Sequence, residues 1–111
     1  MNIFKEIIAG NIPCAKLYED ERCIVIKDIN PVAAVHCLII PLKELRSLAD
    51  MQEQDSALLG HLLWVAHQIA QQLNLETGYR VVINTGADSL QSVDHLHIHL
   101  LGGRLFSWPP G

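Results

Sequence analysis

The chain has 111 residues, half of them hydrophobic, and a formal net charge of −4. This length suits one domain over residues 1–111, which buries about 65% of the surface that its unfolded chain exposes. The acidic balance excludes the basic surface that binds a phosphate backbone, so polymeric nucleic acid is not an expected partner.

The cysteines and the hydropathy pattern indicate an intracellular protein. Cys14, Cys23 and Cys37 are odd in number and lack Cys-x-x-Cys spacing, as expected of reduced core residues. Lys5 and Glu6 interrupt the early apolar segment, and no apolar run approaches the ~20 residues of a membrane span. We therefore expect neither a signal peptide nor a membrane anchor, and we expect the cytoplasm as the compartment.

The sequence predicts a short N-terminal helix followed by a β-hairpin. Asn2 can cap a helix over residues 4–8, which Gly10-Asn11 ends. Two short β-rich runs, 15–18 and 23–27, follow and are joined by an acidic turn. These runs supply the first two strands of a sheet.

The middle of the chain predicts a central strand and the main helix. Residues 36–40 are nearly all apolar, which is typical of a strand in the centre of a sheet, and Pro41 closes it. One turn of helix is expected over 43–48. Asp55 or Ser56 then caps a long helix with one apolar face. That face comprises Leu58, Leu59, Leu62, Leu63, Ala66, Ile69, Ala70 and Leu73.

The last third predicts two further strands. Thr77-Gly78 ends the helix, residues 79–84 form a strand, and a polar loop over 85–92 leads into the last strand. The order predicts an α+β fold with about five antiparallel strands, one long helix and one short helix. The apolar tail over 105–111 would be covered by a partner subunit or would itself cover the site. A homodimer with the sheet extended across the two subunits would also hide a sheet edge.

Histidine alternates with apolar residues in the last strand. Side chains of a strand alternate between its faces, so His95, His97 and His99 share one face, with neighbouring backbone positions about 6.5 to 7 Å apart. Three buried imidazoles need partners for both nitrogens, which favours a functional cluster. A zinc site with His36 as a further ligand and histidine-based catalysis both remain open. No Asp, Glu or Cys is an obvious companion ligand, and the loop before the cluster suits an oxyanion better than a cation.

Residues 95–101, His-Leu-His-Ile-His-Leu-Leu, match the His-apolar-His-apolar-His-apolar-apolar signature of the histidine triad (HIT) superfamily at every position. The flanking segments resemble the histidine triad nucleotide-binding branch, Hint. Those segments are 4–13, 28–31, 36–41, 91–93, 101–104 and 108–111. The resemblance implies the HIT-like fold and, without a cofactor, hydrolysis of purine nucleoside 5′-phosphoramidates such as adenosine monophosphoramidate. It also admits aminoacyl-adenylates as substrates.

The resemblance also implies the catalytic roles. His97 would attack the α-phosphorus to form a nucleotidyl-imidazole, from which water releases AMP or GMP. The backbone carbonyl of His95 would hold the other nitrogen of that ring. His99 would contact the phosphate oxygens, and His36 would support the ring network together with His95. Ser92 would assist the leaving amine.

The same resemblance implies a nucleotide site. Asn84 and Gln91 match positions at the phosphate pocket, and Asp28 matches the carboxylate that binds the ribose hydroxyls. For the four residues that match the purine slot, packing in the core is the alternative. They are Phe4, Ile7, Ile26 and Ile29.

Two features depart from the branch pattern. Ser89-Leu90 stand where Gly-Gly is common, so glycine freedom is lost there. Asp94 replaces a residue that is often aromatic, and strand alternation turns it to the face of Leu96, away from the histidines.

His99, rather than Gln, at the third triad position favours the hydrolases over the nucleotidyltransferases. A zinc-binding module, a regulatory nucleotide-binding module with little catalysis and a dinucleoside polyphosphate hydrolase remain alternatives.

Overall fold

The computed structural model describes residues 2–110, so Gly111 of the predicted tail lies outside it. Five antiparallel strands form one sheet in the order β1-β2-β3-β5-β4. The elements are α1 (Ile3–Ile8), β1 (Lys16–Glu19), β2 (Cys23–Lys27), β3 (Val35–Pro41), α2 (Ser56–Gln72), β4 (Tyr79–Val82) and β5 (Ile98–Gly102). The predicted α+β fold with one long and one short helix is confirmed.

The N-terminal helix α1 forms as its sequence predicts. The Asn2 side chain accepts a hydrogen bond from the Lys5 backbone N–H at 3.1 Å, which satisfies a donor that the first turn leaves without a partner. Gly10, with φ +81°, turns the chain away after the helix. The helix buries Phe4 to 6% exposure.

Both faces of the central strands are covered, which explains why β2 and β3 are nearly all apolar. Val25 and Ile39 pack with α2 in one cluster. Ile24, Ile26 and Leu38 point the other way and pack with Phe4 of α1 in a second cluster. The apolar residues of the histidine motif also pack against α2. These are Leu96, Ile98 and Leu100, each at most 1% exposed.

The pairing register brings two histidines together across the sheet. His36 on β3 lies opposite Leu101 on β5, and Leu38 lies opposite His99. His36 and His99 are therefore diagonal neighbours on one face of an antiparallel pair, a separation that ring side chains can bridge.

Three predicted boundaries were wrong. Residues 43–47 are not helical, and the helical turn occupies Leu48–Asp50, where the Ser47 hydroxyl accepts from the Ala49 backbone N–H. Helix α2 ends at Gln72 because Asn74 takes a left-handed conformation, φ +57°. The fourth strand ends at residue 82 rather than 84.

Two further expectations need correction. On α2, Leu63 is 43% exposed, whereas Val65, outside the predicted stripe, is fully buried. The last strand begins at Ile98 rather than His95, because residues 93–95 form a bend. The alternation of buried apolar residues nevertheless continues through this irregular segment.

The C-terminal tail contacts the sheet through the Phe106 ring and through the Ser107 carbonyl oxygen, which accepts a hydrogen bond from the Arg80 guanidinium. Phe106 lies between the guanidinium groups of Arg80 and Arg104, whose Cζ atoms are 4.9 and 4.2 Å from the ring centroid. Leu105 and Trp108 are 94% and 81% exposed. Among the helices of residues 2–110, none combines the length and apolar character that spanning a bilayer requires.

A matched pair of glycine substitutions tests the close approach of the chain after β5. Gly103 and Gly10 have nearly the same positive φ, +85° and +81°. A Cβ at Gly103 would lie 2.8 Å from the Ala34 Cβ, whereas a Cβ at Gly10 would meet nothing within 4 Å. We expect Gly10→Ala to cost about 1 kcal/mol of unfolding free energy and Gly103→Ala about 3 kcal/mol, measured by urea denaturation. Equal losses would show that steric contact is not the constraint.

Candidate active site

Four histidine rings meet on the α1 face of the sheet. The ring centroids of His97 and His99 are 5.0 Å apart, and those of His36 and His99 are 5.2 Å apart. His36, His95 and His97 are buried, and His99 is partly exposed. The structure thus brings four of the five candidate catalytic residues into one network, whereas Ser92 is exposed at its margin.

The His97 ring has one nitrogen bound and one available. Its Nδ1 lies 2.7 Å from the backbone carbonyl oxygen of His95. A carbonyl can only accept, so the neutral ring carries its proton on Nδ1 and a lone pair on Nε2. Phe4 packs edge-on against this ring, with centroids 4.8 Å apart. The Nε2 atom of His97 has no hydrogen-bond partner among residues 2–110. It is not among the fully buried unpaired atoms, so it keeps some accessible surface although the residue as a whole is only 4% exposed.

Both ring nitrogens of His95 are hydrogen-bonded within the protein. Its Nε2 donates to the Pro41 carbonyl oxygen at 2.9 Å. Its Nδ1 is therefore an acceptor, and the Asn2 side-chain amide donates to it at 2.8 Å. With both nitrogens engaged, His95 is a positioning residue that fixes the carbonyl facing His97.

A backbone N–H group determines which ring nitrogen carries the proton in His36 and, through His36, in His99. The Val32 backbone N–H donates to His36 Nδ1 at 3.2 Å, so the neutral His36 ring carries its proton on Nε2. That Nε2 lies 2.9 Å from His99 Nδ1 and 3.3 Å from Asp28 Oδ2. His99 Nδ1 accepts, and His99 Nε2 then carries a proton that it can donate outward.

Burial keeps the two inner rings neutral. It lowers the pKa of His97 below the ordinary 6.5, although the His95 carbonyl and the Asp28 charge act in the opposite direction. The pKa of His99 falls to about 4, first through burial and then through its neighbours His97 and His36. At neutral pH the site therefore presents an unprotonated nitrogen beside a neutral N–H donor, a pair suited to attack on phosphorus and to stabilisation of the charge that develops.

The candidate nucleotide residues divide by exposure. Phe4 and Ile26 are buried in the α1-side cluster, and Ile7 is partly buried at its edge. Ile29 is 85% exposed and lies outside that cluster. Asp28 accepts from the Asn30 backbone N–H at 2.8 Å and faces His36 with its second oxygen.

The polar loop before the triad is held by its own amides. The Gln91 side chain donates to the carbonyl oxygens of Arg46 and Val93 and accepts from the Gly86 backbone N–H. The Asn84 amide donates to the Ser89 carbonyl at 2.7 Å. Both side chains shape the loop, so their amide groups are engaged within the protein.

The loop keeps a left-handed residue where the branch often has glycine. Leu90 has φ +62° and is 85% exposed. Asp94 is also exposed, and it sits in the bend over 93–95, where the strand alternation used to orient it does not apply.

Sequence reasoning missed three partners of the rings. Asn2 was predicted only as a helix cap, and no pattern indicated the contacts of Val32 and Pro41.

The expectation that no acidic residue accompanies the histidines as an obvious ligand was wrong. Ligand-type atoms of Asp28, His36 and His99 lie within 4.8 Å of one another, because a turn and a strand register bring together residues far apart in the chain.

Comparison with known proteins agrees with this geometry. The HIT domain family model matches residues 9–105. A 14 kDa zinc-binding protein of Zea mays is 52% identical over 111 residues, which is 98% of this chain and 87% of that protein. The chain belongs to the HIT domain family.

Solved structures extend the comparison to the fold. A HIT family hydrolase from Legionella pneumophila Philadelphia 1 superposes with a TM-score of 0.97 at 42% identity, covering 100% of both chains. A histidine triad nucleotide-binding protein from Candida albicans gives a TM-score of 0.83 at 32% identity, covering 100% of this chain and 85% of that chain. The protein therefore shares its whole described architecture with HIT proteins.

The depressed pKa of His99 predicts acid sensitivity in a defined window. The folded ring titrates at about 4, whereas the unfolded chain binds this proton at the ordinary value of 6.5. Between these values the unfolded state holds more protons, so the free energy of unfolding should fall as the pH falls from 6.5 towards 4. Urea denaturation at a series of pH values measures this dependence.

His99→Asn provides the control, because it cannot titrate. Its pH dependence should be shallower, although not absent, because the pKa of His97 is also lowered. An identical dependence in the variant and the wild type would contradict the assignment to His99.

Proposed function

We propose that this protein is a nucleoside phosphoramidase of the Hint branch, which hydrolyses the P–N bond of purine nucleoside 5′-phosphoramidates. The observation that carries the proposal is the accessible lone pair on His97 Nε2 beside the outward Nε2–H of His99. The hydrolase from Legionella pneumophila and the nucleotide-binding protein from Candida albicans, which share the fold, support it.

The first step displaces the amine. His97 Nε2 attacks the α-phosphorus, a P–Nε2 bond forms and the P–N bond to the amine breaks. The ring gains positive charge, which the His95 carbonyl stabilises through the 2.7 Å hydrogen bond from Nδ1. His99 Nε2–H donates to a non-bridging oxygen. The departing amine takes its proton from the Ser92 hydroxyl, which solvent reprotonates because Ser92 is exposed.

The second step regenerates the ring. A water molecule attacks phosphorus and loses a proton to solvent, the P–Nε2 bond breaks, and the nucleoside monophosphate leaves with the water oxygen. His97 recovers its lone pair on Nε2. The net reaction of a phosphoramidate consumes one water molecule and yields AMP or GMP and a free amine. Aminoacyl-adenylates are a second substrate class, in which a P–O bond breaks and the amino acid leaves as its carboxylate.

The nucleotide would lie over the α1 face of the sheet, beside Asp28 at the end of β2. Each carboxylate oxygen has two acceptor positions, so Asp28 can bind ribose hydroxyls while it retains Asn30 and His36. The exposed side chain of Ile29 and the partly buried Ile7 supply apolar surface for a purine. Phe4 and Ile26 would form the floor of that slot. Asn84 and Gln91 would act at the phosphate pocket by holding the loop that borders it, because their amide groups are engaged within the protein.

We further propose a homodimer in the cytoplasm, with the sheet extended across its two subunits. β4 is an edge strand, and Tyr79 and Val81 on it are 39% and 38% exposed. Leu63 and Trp64 on α2 are also exposed, at 43% and 56%. Pairing of these surfaces would cover apolar groups and a strand edge that a monomer leaves open.

A zinc-binding function is the second candidate, because Asp28, His36 and His99 cluster and a relative carries zinc binding in its name. A zinc ligand must offer a lone pair. His36 Nε2 carries a proton as long as Val32 N–H occupies Nδ1. Zinc binding through Nε2 would require this contact to break, so the hydrogen-bonded arrangement favours phosphorus chemistry over a resident metal.

Replacement of the proposed nucleophile tests the function. His97→Ala should lower turnover of adenosine monophosphoramidate by about 10³-fold or more while AMP binding stays measurable. Rapid quench and mass spectrometry should detect an AMP adduct on the wild type and none on the variant. His67→Ala, whose ring packs on Trp64 of α2, serves as the control and should keep its activity. A His97→Ala variant with most of its rate intact would refute the mechanism.

Metal removal separates the two candidates. If zinc has no catalytic part, dialysis against EDTA should leave turnover of adenosine monophosphoramidate unchanged, and calorimetry should detect weak zinc binding at most. Asp28→Asn removes one of the three clustered ligands and should not alter that calorimetric result. Activity that EDTA abolishes and zinc restores would favour the metal reading.

A further inference from the structure

A cavity adjoins the first triad histidine on the side of the loop. It has a volume of about 340 Å³ and is lined by Asn2, Ile3, Ser92, Val93 and Asp94. The Asn2 side chain on its wall donates to the His95 ring, and the His95 carbonyl holds His97. The cavity is therefore connected to the proposed nucleophile through two hydrogen bonds.

Asp94 is the one acidic residue among those that line this cavity. It also lines a neighbouring cavity of about 380 Å³ together with Arg46 and Asp50. Of the charged residues that line this second cavity with Asp94, Arg46 pairs with Asp50 at 3.9 Å. Asp94 forms no ion pair or hydrogen bond with another of residues 2–110, so its exposed carboxylate is available to a cationic ligand.

The Asp94 carboxylate shares its cavity with the residue proposed to protonate the leaving amine. Ser92 and Asp94 both line this cavity, so a substituent on the amine would extend into the space that Asp94 borders. The screening length at physiological salt is about 8 Å, so two charges within one such cavity are only partly screened from each other. The group that such a charge can select is the amine, because the nucleotide part is common to all substrates of the proposed reaction.

We propose that Asp94 makes the enzyme selective for phosphoramidates whose amine leaving group carries a second, cationic group, such as a diamine or a basic side chain. This inference rests on the proposed phosphoramidase function and adds to it the class of amine released. A terminal ammonium resembles that of lysine and stays charged at neutral pH. An exposed ion pair of this kind is worth about a two- to fivefold preference.

An effect of Asp94 on the rings would have a different signature. A carboxylate that acted on His95 or His97 would change the rate for every substrate by the same factor. Selection of the leaving group changes the ratio between two substrates instead. The ratio of kcat/KM values therefore distinguishes a specificity residue from one that only tunes the nucleophile.

The test compares two adenosine 5′-phosphoramidates of equal size, one of butylamine and one of 1,3-diaminopropane. They differ by a terminal methyl against a terminal ammonium. The wild type should prefer the diamine derivative about threefold in kcat/KM at low salt, and the preference should shrink as salt rises. Asp94→Asn should bring the ratio close to one, and Asp94→Lys should invert it.

Asp88→Asn is the matched control, because Asp88 is an exposed carboxylate on the preceding loop that does not line the cavity. It removes the same net charge and should keep the preference of the wild type. A wild-type ratio near one, or a ratio unchanged in Asp94→Asn, overturns this inference alone. Turnover of neither substrate by the wild type overturns the proposed function and this inference with it.

Discussion

The hydrogen bond from the His97 ring to the backbone carbonyl of His95 is the interaction on which the site depends. A carbonyl never donates, so the proton on Nδ1 is fixed and the lone pair on Nε2 faces outward. The other rings are fixed in the same way, by the Pro41 carbonyl on His95 and the Val32 N–H on His36. Backbone groups do not titrate, so the pattern of protons in the network is a property of the fold rather than of neighbouring charges.

The irregular start of β5 makes this interaction possible. In a regular antiparallel strand, carbonyl groups point sideways towards the neighbouring strands and accept the ladder hydrogen bonds. β5 begins only at Ile98, and the bend over 93–95 leaves the His95 carbonyl available to the His97 ring. The register of the sheet sets His36 diagonal to His99. Burial lowers the pKa values of His97 and His99, which costs stability in acid and keeps both rings neutral at neutral pH.

The parts of the fold that could be predicted are those with a local signal. Alternation identified β5, short β-rich or nearly all-apolar runs identified β2 and β3, and three- to four-residue spacing identified α2. Leu63 and Val65 nevertheless show that the flank of a helical stripe is poorly defined. The triad itself was visible as a repeat and as a family signature. The contacts that determine its protonation were not, because Asn2 meets His95 across 93 residues and Val32 meets His36 within an aperiodic loop. Periodicity carries no information about which backbone group a ring will meet.

The loop before the triad obeys a different constraint. Leu90 holds a left-handed conformation that costs a residue with a side chain about 1–2 kcal/mol, and three hydrogen bonds of the Gln91 side chain keep the loop in that shape. The shape therefore does not require glycine, and the side chains on it are exposed. Substitutions at Leu90 or Asp94 can change the surface beside the site. They would not disturb the hydrogen bonds that determine which ring nitrogen carries a proton. The positions of the ring protons are thus fixed largely by backbone groups, while the selectivity that we propose depends on exposed residues that can vary independently.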